Sequence, residues 1–432
     1  MDISQIKSAY FIGVGGIGIS ALARLMLSRG ITVSGVNDDE SPTTIDPLRV
    51  LGAEISIEQN LQAVPSADVY VYSDAWLYRG PQIIASAKET GKPVLSYFEA
   101  LGQIAKGYEK VIAVAGVHGK TTTTAMIAEV LEAGRLDPTV IVGSLVKKYA
   151  SNFRAGSNKY LVVEADEYMR HFLNFDPYIS VITNIEADHL DYYKDLADVQ
   201  SAFVSLLEKT SHAVVCDPSD VLVAPVLEGK ELEILDWQSA IADVPKLMVP
   251  GEHNRKDAAC ALAVARALGV PDSVSGPALA SFAGTWRRLE NRGTTSSGVI
   301  VYDDYAHHPT EAKASLQALR ELYPKGEKRI TVLFQPHLYS RTKALFADFV
   351  TAFTEADAVF FLPIYFAREA HDPTVSSELL AEAVSEHVHG ARAFADFSEA
   401  EDYFLSAGLG ADDVVVTMGA GEAYKIGTKM LA

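Results

Sequence analysis

Short apolar runs rich in β-branched residues recur along the chain, and most lead into a glycine-rich or polar turn. Ser8–Ile12, Ile31–Val36, Val69–Tyr72, Pro93–Leu95, Val111–Ala115, Tyr160–Val163, Ile179–Ile182 and Ala213–Cys216 are runs of this kind. Val299–Asp303, Arg329–Phe334, Ala358–Leu362 and Asp413–Met418 repeat the pattern towards the C-terminus. Apolar residues at nearly every position predict strands buried on both faces, as in a parallel sheet. Between them, Ile19–Ser28, Ala125–Leu131, Lys256–Leu268 and Thr310–Leu322 have helical spacing, the second stopping at Gly134 as a C-cap. This βα alternation predicts an α/β chain with mostly parallel sheets, divided at 1–107, 108–283 and 284–432. In open α/β sheets ligands bind at the carboxyl ends of the strands, so the turns that follow them carry the chemistry.

Two of those turns are glycine loops. Gly13-Val14-Gly15-Gly16-Ile17-Gly18 follows the first strand and opens a helix, and Asn37-Asp38-Asp39-Glu40 closes the next strand. This is the dinucleotide-type βαβ pattern, with glycines for close approach and an acidic residue for a ribose. Taken alone it suits NAD, FAD, another nucleotide diphosphate or no ligand at all. The second loop, Gly116-Val117-His118-Gly119-Lys120-Thr121-Thr122, follows Val111–Ala115 and also opens a helix. Its glycines let several N–H groups face one anion; Lys120 neutralises phosphate and the Thr121 hydroxyl is placed to ligate Mg²⁺. The competing reading is an ordinary strand-to-helix turn. Glu164-Ala165-Asp166-Glu167 ends the strand from Tyr160, where a magnesium-holding carboxylate belongs, although a solvated acidic turn has the same composition.

Composition narrows the picture. The chain has 432 residues, 48% of them hydrophobic and 22% charged, enough for two or three cores. No apolar run approaches the ~20 residues that span a bilayer, and Met1-Asp2-Ile3-Ser4 shows no signal-peptide pattern. A net charge of −19 argues against nucleic acid and anionic membrane as partners. Cys216 and Cys260 read as buried free thiols of a cytoplasmic protein.

Further motifs complete the set: Thr183–Asp191 (TNIEADHLD), Gly251–Asn254 (GEHN), Asp303–Glu311 (DDYAHHPTE), Gln335–Thr342 (QPHLYSRT) and Gly419–Gly421 (GAG). With GVGGIGISALA, GVHGKTTTT and EADE, in this order, the chain resembles the Mur ligases of peptidoglycan synthesis over essentially its whole length. The likeness is strongest to members that join L-alanine to UDP-N-acetylmuramate. The resemblance implies a Rossmann-like N-terminal domain for the UDP substrate, a central P-loop ATPase domain and a C-terminal Rossmann-like domain for the amino acid. It implies ATP and Mg²⁺, a monomer or homodimer, and an acyl phosphate on the path to the amide.

The same resemblance implies residue roles. Lys120, Glu164, His189, His307 and Arg341 are the expected catalytic residues, with Thr121, Glu164 and His189 holding magnesium. Gly116 to Thr122 with Asn254 and Asp257 would bind ATP. Gly15, Gly16, Ile17, Gly18, Asp38 and Ser73 would bind the UDP substrate, and His307, His337 and Arg341 the amino acid.

Three positions depart from the family pattern. No acid directly follows Gly35-Val36, and Asp38 and Asp39 are the nearest. The second amide of the adenine motif is Asp257, expected either to face solvent or to weaken selection for ATP. Leu338 stands where an arginine commonly follows the histidine of QPH. There the sequence predicts weaker acceptor binding, a substitute cation such as Lys343 or Arg368, or a bulkier acceptor packed on Leu338, with Leu338→Arg restoring affinity for L-alanine. Three other readings compete: a recycling ligase that adds a peptide to UDP-N-acetylmuramate, favoured by Arg287–Gly293; a nicotinamide-dependent oxidoreductase on Gly13–Gly18; and a nucleotide-binding protein without turnover.

Overall fold

The computed structural model describes residues 5–58, 61–189, 192–366 and 369–432. Arg368, and Leu190 and Asp191 at the end of the Thr183–Asp191 motif, lie outside them. The described residues form two units, one within 5–188, 192–246 and 256–283, the other of 189 and within 247–255 and 284–432.

The first unit contains two sheets. Strands β1 (Ser8–Ile12), β2 (Thr32–Asn37), β3 (Glu54–Ile57), β4 (Val69–Tyr72) and β5 (Val94–Ser96) form one, in the order β3-β2-β1-β4-β5. All four of its pairings are parallel. The second sheet is built from β6 (Lys110–Ala115), β7 (Thr139–Val146), β8 (Ser151–Arg154), β9 (Tyr160–Glu164), β10 (Ile179–Ile182), β11 (Ala213–Cys216) and β12 (Glu233–Asp236). Its order is β12-β11-β10-β6-β9-β7-β8, parallel except for the β7–β8 hairpin.

These orders place the motifs. In the second sheet β6 lies between β9 and β10, with Val114 opposite Glu164 and Ala115 opposite Ile182. The turns after three adjacent strands therefore begin at one edge: the phosphate loop, the acidic run and Thr183-Asn184. In the first sheet β1 lies between β2 and β4, so the Gly13–Gly18 loop starts beside Asn37 and Ser73. The helix Ile17–Ser28 packs on the β7–β8 hairpin, where the side chain of Asn152 donates to the Ile17 carbonyl (2.5 Å) and to Ser20 Oγ (2.9 Å).

The second unit carries β13 (Glu290–Thr294), β14 (Ile300–Asp304), β15 (Arg329–Phe334), β16 (Ala358–Phe361), β17 (Arg392–Ala393) and β18 (Asp413–Met418). Their order is β13-β14-β18-β15-β16-β17, with only the β13 edge antiparallel. Again three neighbouring strands end together: β14 before DDYAHH, β18 before GAG and β15 before QPH.

The stretch after β7 contains the strand β8. The helix that starts at Lys120 ends at Ala133 with Gly134 as its C-cap, as expected; Gly134 has φ −72° and the left-handed residue is Arg135 (φ 59°). Gly134 is small for packing: a Cβ there would lie 2.5 Å from Val270 Cγ2. Cys216 and Cys260 are free and buried, and burial pushes the Cys216 thiol up to about 12. Among the described residues no helix is long and apolar enough to cross a membrane.

Candidate functional site

The glycine loop after β1 is held by its neighbour strand. Gly13 (φ 80°) donates its N–H to the Val36 carbonyl at 2.8 Å. The Gly15 N–H donates to Asn37 Oδ1 at 3.1 Å, and the Thr44 hydroxyl donates to the Gly15 carbonyl at 2.7 Å. Asn37, where the family pattern has an acid nearby, is thus a brace for the loop. Asp38, the expected ribose partner, pairs with Arg79 at 2.9 Å. Ser73 ends β4, with its N–H on the Ile12 carbonyl at 2.9 Å. Gly16 and Ile17 lead into the helix, and Gly18 lies against Tyr97, whose ring would be 3.0 Å from an added Cβ.

The phosphate loop is equally constrained. Gly116 (φ 132°) leaves no room for a Cβ, which would fall 2.1 Å from Thr183 Oγ1. Asn184 clamps His118 from both sides, accepting from its N–H and donating to its carbonyl, each at 3.0 Å. Thr183 Oγ1 also donates to that carbonyl at 2.5 Å. Gly119 (φ 80°) is the left-handed residue before the helix Lys120–Ala133, which buries Thr121 and Thr122 in its first turn.

Lys120 curls back over the loop. Its ammonium donates to the Gly116 carbonyl (2.6 Å) and to both carboxylate oxygens of Glu167 (2.8 and 3.0 Å). Burial alone would lower the Lys120 pKa; the charges of Glu167, Asp166 and Glu164 outweigh it and hold the group protonated. Thr121 donates its hydroxyl to Glu164 Oε1 at 2.9 Å, and Gly143 N–H fixes the other Glu164 oxygen at 2.6 Å. A hydroxyl and a carboxylate side by side at a helix N-terminus are hard oxygen donors suited to a cation such as Mg²⁺. The structure therefore brings Lys120, Thr121 and Glu164 together. His189 lies in the turn after β10, half-buried with φ 55°, and is grouped with the second unit.

Asp257 does not face solvent. It is 6% exposed, Thr123 donates its hydroxyl to Oδ1 at 3.0 Å, and the same oxygen would lie 2.5 Å from a Cβ on Gly119. Its carboxylate is engaged by the phosphate-loop helix. Asn254, in the second unit, is buried and donates to the Pro250 carbonyl at 2.5 Å.

The second unit gathers the expected acceptor residues. His307 Nδ1 lies 3.0 Å from the Tyr305 carbonyl, and the His307 N–H donates to Glu311 Oε2 at 3.0 Å. His337 stacks on Tyr365 (centroids 5.6 Å apart, 15° between planes) and stands 5.9 Å from the His307 ring. Arg341 Nη1 donates to His337 Nδ1 at 3.3 Å. Leu338 is buried and left-handed (φ 70°), with its N–H on the Tyr365 carbonyl at 2.9 Å. Lys343, offered above as a substitute cation, pairs with Asp372 at 3.1 Å.

Two residues escape a reading of the sequence. Arg287 lies in a charged run, yet it is buried. It donates to Asp303 (2.8 Å) and to the carbonyls of Gly421 (3.1 Å) and Gly419 (2.6 Å), tying β14 to the turn after β18. Nothing local marks it. Glu167 was visible only as one acid among several; its spacing of three from Glu164 past a strand end is the signal that sets it apart.

Models of known domains match three segments: the Mur ligase family catalytic domain at residues 8–109, the Mur ligase middle domain at 114–224 and the Mur ligase glutamate ligase domain at 287–421. The UDP-N-acetylmuramate–L-alanine ligase of Desulfosudis oleivorans is 40% identical, covering 98% of this chain and 97% of that one. The protein of that name from Caldanaerobacter subterraneus subsp. tengcongensis is 37% identical over 100% of this chain and 98% of its own. Among solved structures, the UDP-N-acetylmuramate-alanine ligase of Thermotoga maritima superposes with a TM-score of 0.80 at 26% identity, over 98% of both chains. A murein peptide ligase from Psychrobacter arcticus shares the fold, with a TM-score of 0.72 at 21% identity over 98% of both.

Proposed function

The chain belongs to the Mur ligase family, and from that premise we propose that it joins L-alanine to UDP-N-acetylmuramate, with ATP converted to ADP and phosphate. The observation that carries this reading is the placing of Lys120, Thr121 and Glu164 at one sheet edge in a loop shaped for phosphate. Relatives with the L-alanine ligase name, 36–40% identical along the whole chain, support the substrate pair. The nicotinamide oxidoreductase reading falls with the family assignment. The recycling-ligase reading draws on Arg287–Gly293, but Arg287 ties Asp303 to the turn after β18, and the relatives at 37–40% identity carry the L-alanine ligase name. We take 1–107, 108–283 and 284–432 as the UDP-substrate, ATP and amino-acid domains, acting in cell-wall synthesis in the cytoplasm.

The chemistry proceeds in two steps. A carboxylate oxygen of the muramyl group attacks the γ-phosphorus of ATP, ADP leaves, and an acyl phosphate forms. The amine of L-alanine then attacks the acyl carbon, loses a proton, and phosphate departs to leave the amide. Lys120 offsets charge on the transferring phosphoryl group, and the loop N–H groups orient it. Thr121 and Glu164 would hold Mg²⁺, which would supply added charge neutralisation on the phosphates. Gly15 to Gly18 and Ser73 bind the UDP substrate; His307, His337 and Arg341 bind the amino acid, the guanidinium suiting its carboxylate.

The test is phosphate release from ATP with UDP-N-acetylmuramate and a panel of glycine, L-alanine, L-serine, L-valine and a short peptide, with the product identified by mass. Release that depends on both UDP-N-acetylmuramate and L-alanine is expected. Release with a peptide but with no single amino acid would establish the recycling ligase instead.

A further inference from the structure

The acidic run after β9 holds two carboxylates with separate partners. Glu164 faces Thr121, and Glu167, three residues on, faces Lys120. Glu167 is 1% exposed, and its backbone is secured independently of the lysine. The Tyr193 hydroxyl and the Arg170 N–H both donate to the Glu167 carbonyl, and the Phe172 N–H donates to the Asp166 carbonyl at 2.8 Å. The Lys120 ammonium has three protons, and its neighbours are two loop carbonyls, at 2.6 and 3.3 Å, and the two Glu167 oxygens. Its direction is therefore set by a fixed carboxylate as much as by the loop.

We infer that Glu167 is a positioning residue for phosphoryl transfer, holding the Lys120 ammonium in place and offsetting part of its charge. This rests on the ligase reading above. An ammonium partly neutralised by a buried carboxylate attracts the phosphates of bound ATP less than an uncompensated one would. Binding energy withheld from the ground state does not deepen the well from which the reaction climbs. A lysine whose position is fixed in advance needs no reorganisation when charge shifts onto the departing ADP oxygen. The arrangement trades nucleotide affinity for rate, which a residue serving the fold alone would not do.

The experiment compares Glu167→Gln and Glu167→Asp with the wild-type full chain. Glutamine keeps the size and one acceptor but removes the charge. Displacement of a fluorescent ATP analogue should show ATP bound about 3–10-fold more tightly by E167Q, while kcat falls about 10–100-fold. Unchanged or weaker ATP binding by E167Q overturns the proposal, as does a wild-type kcat. Should E167Q fail to fold, E167D decides. It keeps the charge but draws it back by one methylene, so kcat should fall with ATP affinity within about twofold of wild type; a wild-type kcat there overturns the proposal. The binding assay needs neither the UDP substrate nor an amino acid. A wild-type protein that binds ATP but makes no product would overturn the ligase reading, separately from the E167Q affinity ratio.

Discussion

Replacing Leu338 by arginine restores the residue that the family motif carries beside the histidine of QPH, and the motif alone predicts tighter L-alanine binding. The structure predicts the reverse. Leu338 is 4% exposed, its N–H donates to the Tyr365 carbonyl, and its own carbonyl accepts from the Thr342 N–H and hydroxyl. Truncating the leucine contribution forfeits about 1.5–3 kcal/mol of apolar burial. Bringing an ion into the same surroundings adds several kcal/mol, reduced to the extent that the longer side chain reaches water. A net loss of about 4 kcal/mol corresponds to roughly 8–16 °C in unfolding midpoint for a domain of this size. Scanning calorimetry of the full chain should show the lowest transition shifted down by that order, and initial rates should give a KM for L-alanine no lower than wild type. A variant with the wild-type midpoint and a reduced KM would refute this reasoning, because the guanidinium would then be reaching the acceptor carboxylate.

Four further outcomes are expected. Lys120→Ala should lower kcat/KM at least ~10³-fold, or roughly 4 kcal/mol of transition-state stabilisation, and a folded variant with a tenth of wild-type activity would remove the loop lysine from the mechanism. Asp257→Asn should leave the preference for ATP over GTP unchanged, because Thr123 already engages the carboxylate; a shifted preference in nucleotide competition would put this side chain on the base. Burial pushes Asp304 up to about 6 against a hydrogen bond from Ser315, so the folded state holds this proton more tightly than the unfolded chain and stability falls as pH rises from about 4 to about 6. Unfolding free energies from denaturant titration at pH 5 and 7 should therefore differ less in Asp304→Asn than in wild type, by about 1.3 kcal/mol, and equal pH dependence would exclude Asp304 as the cause. Arg24 is 8% exposed, and its Nε has no hydrogen-bond partner among the described residues, so Arg24→Met should stabilise by about 1 kcal/mol or more in the same assay; a lowered midpoint would mean the guanidinium is satisfied.

What the sequence makes legible follows from how local the cause is. A buried parallel strand must be apolar along its whole length, so β1, β4, β10, β15 and β18 are visible in the residues themselves, and the motifs at their carboxyl ends come with them. β8 is not visible because Ser151-Asn152-Phe153-Arg154 lacks that pattern; Asn152 is buried for the sake of hydrogen bonds to residues more than a hundred positions away. The same limit governs the site. Thr121 beside Glu164 follows from two strands known to be neighbours once the fold is known, but which acid of EADE takes Lys120 depends on the turn that Tyr193 and Phe172 fasten from outside the motif. Asp257 reads as a spoiled base contact when compared with a pattern of asparagines, and as a partner of Thr123 and Gly119 when the space around it is known. Substitutions in a motif are thus best judged by what the side chain touches. By that measure Asp257, from the helix Glu252–Ala267, and Leu338 brace the segments that carry the chemistry, and changing either back to the family residue should disturb that packing before it improves the binding of a substrate.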